Sequence, residues 1–503
     1  MNYFNAADWI VIVAYLAGIV AFGVWCGRGQ KSTKDYFLGN KSIPWWGVGL
    51  SIVATETSAL TFIGVPAMAF GVSNLAFMQI IIGYVIARII LAVVMVPHYF
   101  KGEIYSPYQL FSEAFGPVAR RTAGGFFLSA ATLAAGVRVY VTCIPLQLML
   151  GFSENQILIV ILIFVILSLA YTYVGGVKAV IWTDAVQFIL FTLGGVFTLF
   201  YIPSLVDGGF SGALETAKAA GKLEWFHGTF SLSMPFNIWM GIIGATVFVM
   251  STHGADQLIV QRVLSCKNVQ DGRKALIMSA VIIFPMFLLF LLTGTMLWVY
   301  YQQFPNMPIA IPEVRPGVGK NDYVFPIFIV TMVPNVLKGF LIVAILSAAM
   351  SSVSSALSAL ASVSTMDFFK PFAKKERSEE FYLQFSKYST VFWAVMLIGV
   401  AYMTQQVDSV LNAAFSLSGL TTGAMLGGLI LVLLWKHGSA MPVVVGMLVS
   451  LASMTVIKTY LEKEVAWPWY TLIGALITFA VATVLREAIL YQERKKAQAG
   501  LKK

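Results

Sequence analysis

Metal-binding side chains are scarce in this chain, which has three cysteines and four histidines in 503 residues. Cys26, Cys143 and Cys266 show neither a pairing pattern nor metal-ligand spacing, so free thiols are expected. No histidine belongs to a paired motif, which argues against metal-dependent hydrolysis. Charge is sparse too, at 11% of residues against 58% hydrophobic. No Lys or Arg precedes Arg28, so the first apolar run lacks the basic start of a signal peptide and reads as an uncleaved, N-out helix. Paired aspartates or a serine with a histidine base at membrane depth are missing, as is a glycine-rich filter. An intramembrane enzyme and a channel are therefore disfavoured.

What is present is a succession of apolar runs 18 to 30 residues long, with a mean hydropathy of +0.81. That pattern identifies an all-α polytopic membrane protein. Hydropathy, Gly/Pro punctuation and loop charge together predict thirteen spans, at 8–27, 45–71, 74–99, 122–150, 155–174, 177–204, 235–263, 273–301, 336–364, 384–404, 409–435, 439–459 and 467–487. The net charge of +10 does not point to nucleic acid, because the basic residues fall in short loops on alternate sides of the runs. With the N-terminus outside, 24 lysines and arginines face the cytoplasm and seven face out, leaving Arg88 and Arg138 inside spans. This split supports a multi-pass protein of the cell membrane with a cytoplasmic C-terminus. The outer loops 205–234 and 302–335 are expected to carry short helices, with VFPIFIVTMVP (324–334) re-entrant or on the surface. The lysine-rich end from Arg494 reads as a solvated cytoplasmic tail.

Ionisable residues at membrane depth are functional candidates by default. Five stand out: Glu56, Arg88, Arg138, Asp184 and Asp256. At about 1.5 Å per residue, Glu56 and Arg88 both fall near the midplane of consecutive antiparallel spans, where a salt bridge would neutralise them. That pair serves either as structural glue or as a substrate contact. Arg138, in AAGVRVYVT (134–142), has no obvious partner and is read as facing a cavity that a substrate anion can share. Asp184 is a candidate cation ligand, and Asp256 is expected to cap a helix or pair locally with Arg262.

The stretch SIVATETSALTFIGVP (51–66) places Thr55, Glu56, Thr57, Ser58 and Thr61 within seven positions, followed by Gly64 and Pro66. Such side chains compete with backbone hydrogen bonds, and a broken helix is tolerated in lipid only where it lines a cavity or is buried in protein. An unwound midplane element is predicted, with carbonyls near Ala54 and Thr57 free to ligate a cation. A second wall is offered by ILSAAMSSVSSALSALASVS (345–364), whose Ser347, Ser351, Ser355, Ser358 and Ser362 form a stripe flanked by Ser352 and Ser354. Such a stripe brings helices close, and its neutral oxygens suit an alkali cation. A second break is expected in FVMSTHGADQLIVQR (248–262), five spans after the first; an odd repeat length inverts the second copy.

These residues resemble the solute:sodium symporter family, which includes sodium/glucose, sodium/proline and sodium/sialic-acid cotransporters. The likeness runs from DYFLGN (35–40) to WKHGSAMPVVVGMLVS (435–450), and is most specific in YTYVGGVKAVIWTDAVQ (171–187), DQLIVQR (256–262) and the serine run. It implies a LeuT-like 5+5 inverted repeat in a single transport domain: a leading helix at 8–27, repeats at 45–204 and 235–435, two trailing helices within 439–487 and a basic tail at 488–503. It also implies a sodium site from the carbonyls of Ala54, Thr57 and Ala348 and the hydroxyls of Ser351 and Ser352. A second sodium site, seen in some members, would fall on Ser354, Ser355 and Asp184. The substrate region would involve Glu56, Ser58, Thr61, Phe77 and Arg138, the last matching a carboxylate anchor of the sialic-acid branch. Glu56, Arg88 and Ile81, where an amide would be expected, depart from that branch, so its substrate does not carry over. The implied function is sodium-coupled import of a small polar solute (an organic anion, sugar or zwitterion) by alternating access, without nucleic acid or an obligate protein partner. A sensor of the same fold, or proton coupling through Glu56 and Asp184, are the alternatives.

Overall fold

The computed structural model describes residues 3–500 apart from 59, 72–73, 153–155, 316–317, 374–376, 405–409 and 436. Among the described residues, ten helices are long and apolar enough to cross a membrane, or eleven when one bent pair is counted as a single span. The chain opens with α1 (Ala6–Cys26), whose start is fixed by a reciprocal cap between Asn5 and Asp8. Asp8 also accepts from the Val336 and Gly339 amides, at 2.7 and 3.2 Å, and so ties this helix to a distant part of the chain. Next come α2 (Trp45–Glu56), α3 (Val65–Phe70), α4 (Met78–Val94), α5 (Pro117–Leu150) and the 48-residue α6 (Ile157–Ser204). The second half contains α7 (Thr246–Gly254), α8 (Gln257–Leu264), α9 (Val269–Gln303), α10 (Val324–Met332) and the serine helix α11 (Leu337–Val363). It closes with α12 (Glu379–Met403), α13 (Val410–Trp435), α14 (Ala440–Tyr460) and α15 (Tyr470–Gly500).

Two places account for the difference from thirteen spans. The first is α6, which is continuous in hydrogen bonding but kinked at Gly176, with φ 54° and ψ −155°. Tyr171 and Thr183 flank that kink, and both lie within about 3.2 Å of where a Cβ on Gly23 would sit. A straight helix would hold them about 18 Å apart, so α6 doubles back around α1. The second is α7, which belongs to an apolar stretch of only Met240–Gly254 before the chain breaks at Ala255. Of the two long loops, 205–234 carries a helix at Gly209–Ala219 and 302–335 carries a two-stranded hairpin plus α10. The residues of α10 from Val324 to Val330 are buried, so this segment is an internal wedge rather than a surface helix.

The serine helix is the axis of the bundle, buried from Leu341 to Val363. Its small residues let neighbours approach: a Cβ on Gly194 of α6 would sit 2.8 Å from the Ala344 methyl. Gly176 is the position with no substitute, since a Cβ there would lie 2.3 Å from the Tyr36 carbonyl oxygen in a left-handed backbone. Gly176→Ala is therefore expected to cost at least about 1–3 kcal/mol from backbone strain alone, read as a lowered Tm in detergent. Gly125→Ala, whose Cβ meets nothing within 4 Å, is the control; equal Tm values for the two variants would contradict this role of Gly176.

Candidate functional site at the helix break

The site starts from the interruption of the second span. Helix α2 ends at Glu56, Thr57 leaves the helical region with ψ 76°, and the chain resumes at Leu60 bent by 55°. The Thr57 amide still bonds to Val53, but Ser58 N–H turns to the Glu56 carbonyl (3.0 Å) and Thr61 N–H to the Ser58 carbonyl (2.8 Å). A continuous helix would have used the Ala54 and Thr57 carbonyls instead. Among the described residues no donor replaces them. At the second break, by contrast, the Gly254 carbonyl accepts from the Tyr99 hydroxyl and the Ala255 carbonyl from Tyr108 at 3.0 Å. Tyrosines take two of the carbonyls at the second break, and none reaches the Ala54 and Thr57 carbonyls among the described residues.

The serine helix faces both. Thr55 Oγ1 lies 3.4 Å from Ser355 Oγ, which joins α2 to α11. Further along, toward the C-terminal end of α11, α8 and α11 form a ladder in which Gln257 reaches Ser362 (3.2 Å), Gln261 reaches Ser358 (3.3 Å) and Arg262 reaches Ser355. Ser351 donates to Asp184 Oδ1 at 2.7 Å, and Ser352 to the Ala348 carbonyl at 3.3 Å. Ser354 donates to the Ser351 carbonyl at 3.1 Å. The stripe therefore has two uses: Ser355, Ser358 and Ser362 bind α8, while Ser351 bonds to Asp184 and Ser352 within α11.

The intramembrane charges are neutralised in two clusters. Arg88, fully buried, donates to Glu56 through Nη2 and to the Tyr84 carbonyl through Nη1 at 3.1 Å. His253 completes this cluster, with Nε2 3.1 Å from Arg88 Nη2 and 3.6 Å from Glu56 Oε2. A guanidinium only donates, so that nitrogen accepts, and Nδ1 faces Thr252 Oγ1 at 3.0 Å. The second cluster joins Asp184 to Arg262, whose Nη2 lies 3.0 Å from Oδ2. Asp256 caps α8 by accepting from Leu258 N–H at 2.8 Å. It does not pair with Arg262: six residues on, that side chain leaves the helix on another face, since only positions three and four apart are neighbours.

Beside the break lies a cavity of about 130 Å³, lined by Glu56, Ser58, Thr61, Arg138, Asp256 and aromatic walls including Tyr84 and Phe287. Arg138 Nε is buried without a hydrogen-bond partner. Phe77 stands one layer back, stacked on Phe287 with centroids 5.4 Å apart. His253 and Asp256 also border this space, and sequence reasoning gave neither a place there. The available signal was a histidine and an aspartate three residues apart within the second break.

A profile of the sodium:solute symporter family matches residues 36–450. The chain is 29% identical over 495 residues to a sodium/sialic acid symporter of Proteus mirabilis (strain HI4320), covering 96% of this chain and 95% of that one. To a sodium/glucose cotransporter of Vibrio parahaemolyticus it is 26% identical over 468 residues, 88% and 83% of the two chains. The structure of a Na+-coupled sialic acid symporter in a substrate-bound outward-open state superimposes with a TM-score of 0.85 at 28% identity, covering 96% and 98%. A nucleobase-cation-symport-1 family transporter shares the fold alone, with a TM-score of 0.59 at 15% identity over 91% and 94%.

The cluster around Glu56 makes a specific prediction. Arg88→Met strands a nearly buried carboxylate and is expected to cost about 3–5 kcal/mol, read as a lower Tm. Adding Glu56→Gln to that variant should restore part of the loss. Equal Tm values for the single and double variants would mean that the two charges do not depend on each other.

Proposed function

The chain belongs to the sodium:solute symporter family and is a sodium-coupled secondary transporter of a small organic solute, not an enzyme; on that footing we propose where it holds each of the two. Sodium binds between the helix break and the serine helix, to the carbonyls of Ala54, Thr57 and Ala348 and the hydroxyls of Ser351 and Ser352. The observation that carries this reading is the pair of carbonyls, Ala54 and Thr57, released at the first break where the Ser58 and Thr61 amides turn to nearer acceptors. Neutral oxygens from backbone and serine form a hard-ligand shell that fits an alkali cation. Sodium there orders the break, and with it Ser58 and Thr61, before the bundle rocks to expose the site inward. Coupling requires only that each ligand bind better when the other is present. Entry of a cation is driven by roughly 2.3 kcal/mol per charge per 100 mV.

The solute occupies the adjacent cavity, and the unpartnered Arg138 Nε favours one bearing a carboxylate. The similar proteins include sialic-acid and monocarboxylate transporters, and the former covers nearly the whole chain. Glu56 and Arg88 face each other, so in this reading they shape the cavity and the solute's charge falls to Arg138. Phe77 supports the wall from behind Phe287.

The architecture we propose is one transport domain of thirteen spans with inverted repeats at 45–204 and 235–435. It is supported by the doubling of α6 at Gly176, which turns one long helix into two spans, and by α7 and α8 together making a second broken span. The 24-to-7 split of basic residues supports an external N-terminus and a cytoplasmic C-terminus.

Proteoliposomes with an inward sodium gradient test the assignment of Arg138, using radiolabelled sialic acid, pyruvate and glucose as probes. A carboxylate should accumulate and stop when the gradient is collapsed. Arg138→Gln, which removes a charge-assisted hydrogen bond worth about 1.5–3 kcal/mol, should lower its apparent affinity about 10- to 100-fold. Accumulation of glucose alone, unaffected by Arg138→Gln, would contradict the carboxylate reading.

A further inference from the structure

The oxygen cage around Asp184 already holds a cation, and that cation is part of the chain. Four elements converge there: α2 supplies Ser51, α6 supplies Asp184, α8 supplies Arg262, and α11 supplies Ser351 and Ser355. Every nitrogen of the Arg262 guanidinium has a partner. Nε donates to Ser51 Oγ at 2.8 Å, Nη1 to the Leu258 carbonyl at 2.5 Å, and Nη2 to Asp184 Oδ2 at 3.0 Å and to Ser355 Oγ. Both carboxylate oxygens are engaged as well, Oδ2 by Arg262 and Ser51 and Oδ1 by Ser351. Arg262 and Asp184 are buried. The guanidinium is not free to swing away, because α8 is held along its length by the Gln257–Ser362 and Gln261–Ser358 rungs.

We propose that Arg262 is the resident cation of this cage, so that Asp184, Ser354 and Ser355 do not form a second sodium site and the chain binds one sodium ion. The cage is balanced by one carboxylate and one guanidinium. A sodium ion in the same shell would meet a like charge sharing the same carboxylate, with no second anion to offset it, in a setting where screening by salt is weak. Tethering also differs from binding: the guanidinium occupies the cage at any sodium concentration, while a free ion would have to displace it. The two inner half-helices, α2 and α8, are thereby fastened to the serine helix by a bond that does not depend on sodium. Ion-dependent ordering is left to the break itself.

This inference rests on the sodium reading of the break, and equilibrium binding of ²²Na+ to the purified full-length chain, with potassium as the competing background salt, separates the two. Wild type is expected to saturate at one ion per chain, and Asp184→Asn should still bind one. Arg262→Ala, which vacates the cage while leaving its carboxylate, should bind two. Arg262→Lys, which keeps a tethered charge, should remain at one. Two ions on wild type, with one lost in Asp184→Asn, would overturn the assignment of Arg262 while leaving the sodium reading intact. No saturable binding to wild type would overturn the sodium reading itself. The wild-type count decides between these outcomes even where a cage variant fails to fold.

Discussion

A backbone carbonyl in hydrocarbon must find a partner, and much of this structure follows from how that demand is met at two interrupted helices. At Gly254 and Ala255 it is met from within, by the hydroxyls of Tyr99 and Tyr108. Between Glu56 and Leu60 the amides of Ser58 and Thr61 turn to nearer carbonyls, and among the described residues no donor replaces them at the oxygens of Ala54 and Thr57. Such a vacancy in hydrogen bonding persists only because the segment is buried against the serine helix and opens onto a cavity. The bend that frees the carbonyls also swings Ser58 and Thr61 to the cavity wall. The proposed ion site and solute site are therefore consequences of one local event.

Charge is placed around that event so that little of it is left over. Glu56 is matched by Arg88, which also donates to His253; Asp184 is matched by Arg262. Removing one partner of a buried pair strands the other, so these clusters act as fixed points against which a break can move. Arg88 Nε and Arg138 Nε are both buried without a hydrogen-bond partner, but Arg88 is otherwise bonded to Glu56 and the Tyr84 carbonyl, and Arg138 borders the cavity.

Features that depend on one segment were legible in the sequence. Apolar runs fixed the class, the boundary between the spans expected at 155–174 and 177–204 fell where α6 turns back, and the Thr/Ser/Glu cluster marked the first break. The Glu56–Arg88 pair was legible because depth can be counted along two antiparallel spans. What could not be read was any partnership set by packing among distant segments. Arg262 reads by position as a cytoplasmic charge, yet in three dimensions it meets Asp184, 78 residues away, and Ser355, 93 residues away. His253 has only Asp256 within helical reach, beyond the break, and its contact with Arg88 emerges only when α4 packs beside it. The serine stripe was visible as a stripe, but its division between an α8 ladder and the break required the register of two helices.

The central claim is that sodium is held by the oxygens released at the break together with Ser351 and Ser352. It is tested most directly by the thermal stability of the purified protein in sodium against potassium at matched ionic strength, for wild type and Ser352→Ala. The account predicts a sodium-specific rise in Tm for wild type, equivalent to about 2.7 kcal/mol at about 100 times Kd, and its loss in the variant. Equal stability of wild type in the two salts would contradict it and reduce the released carbonyls and serines to a packing motif.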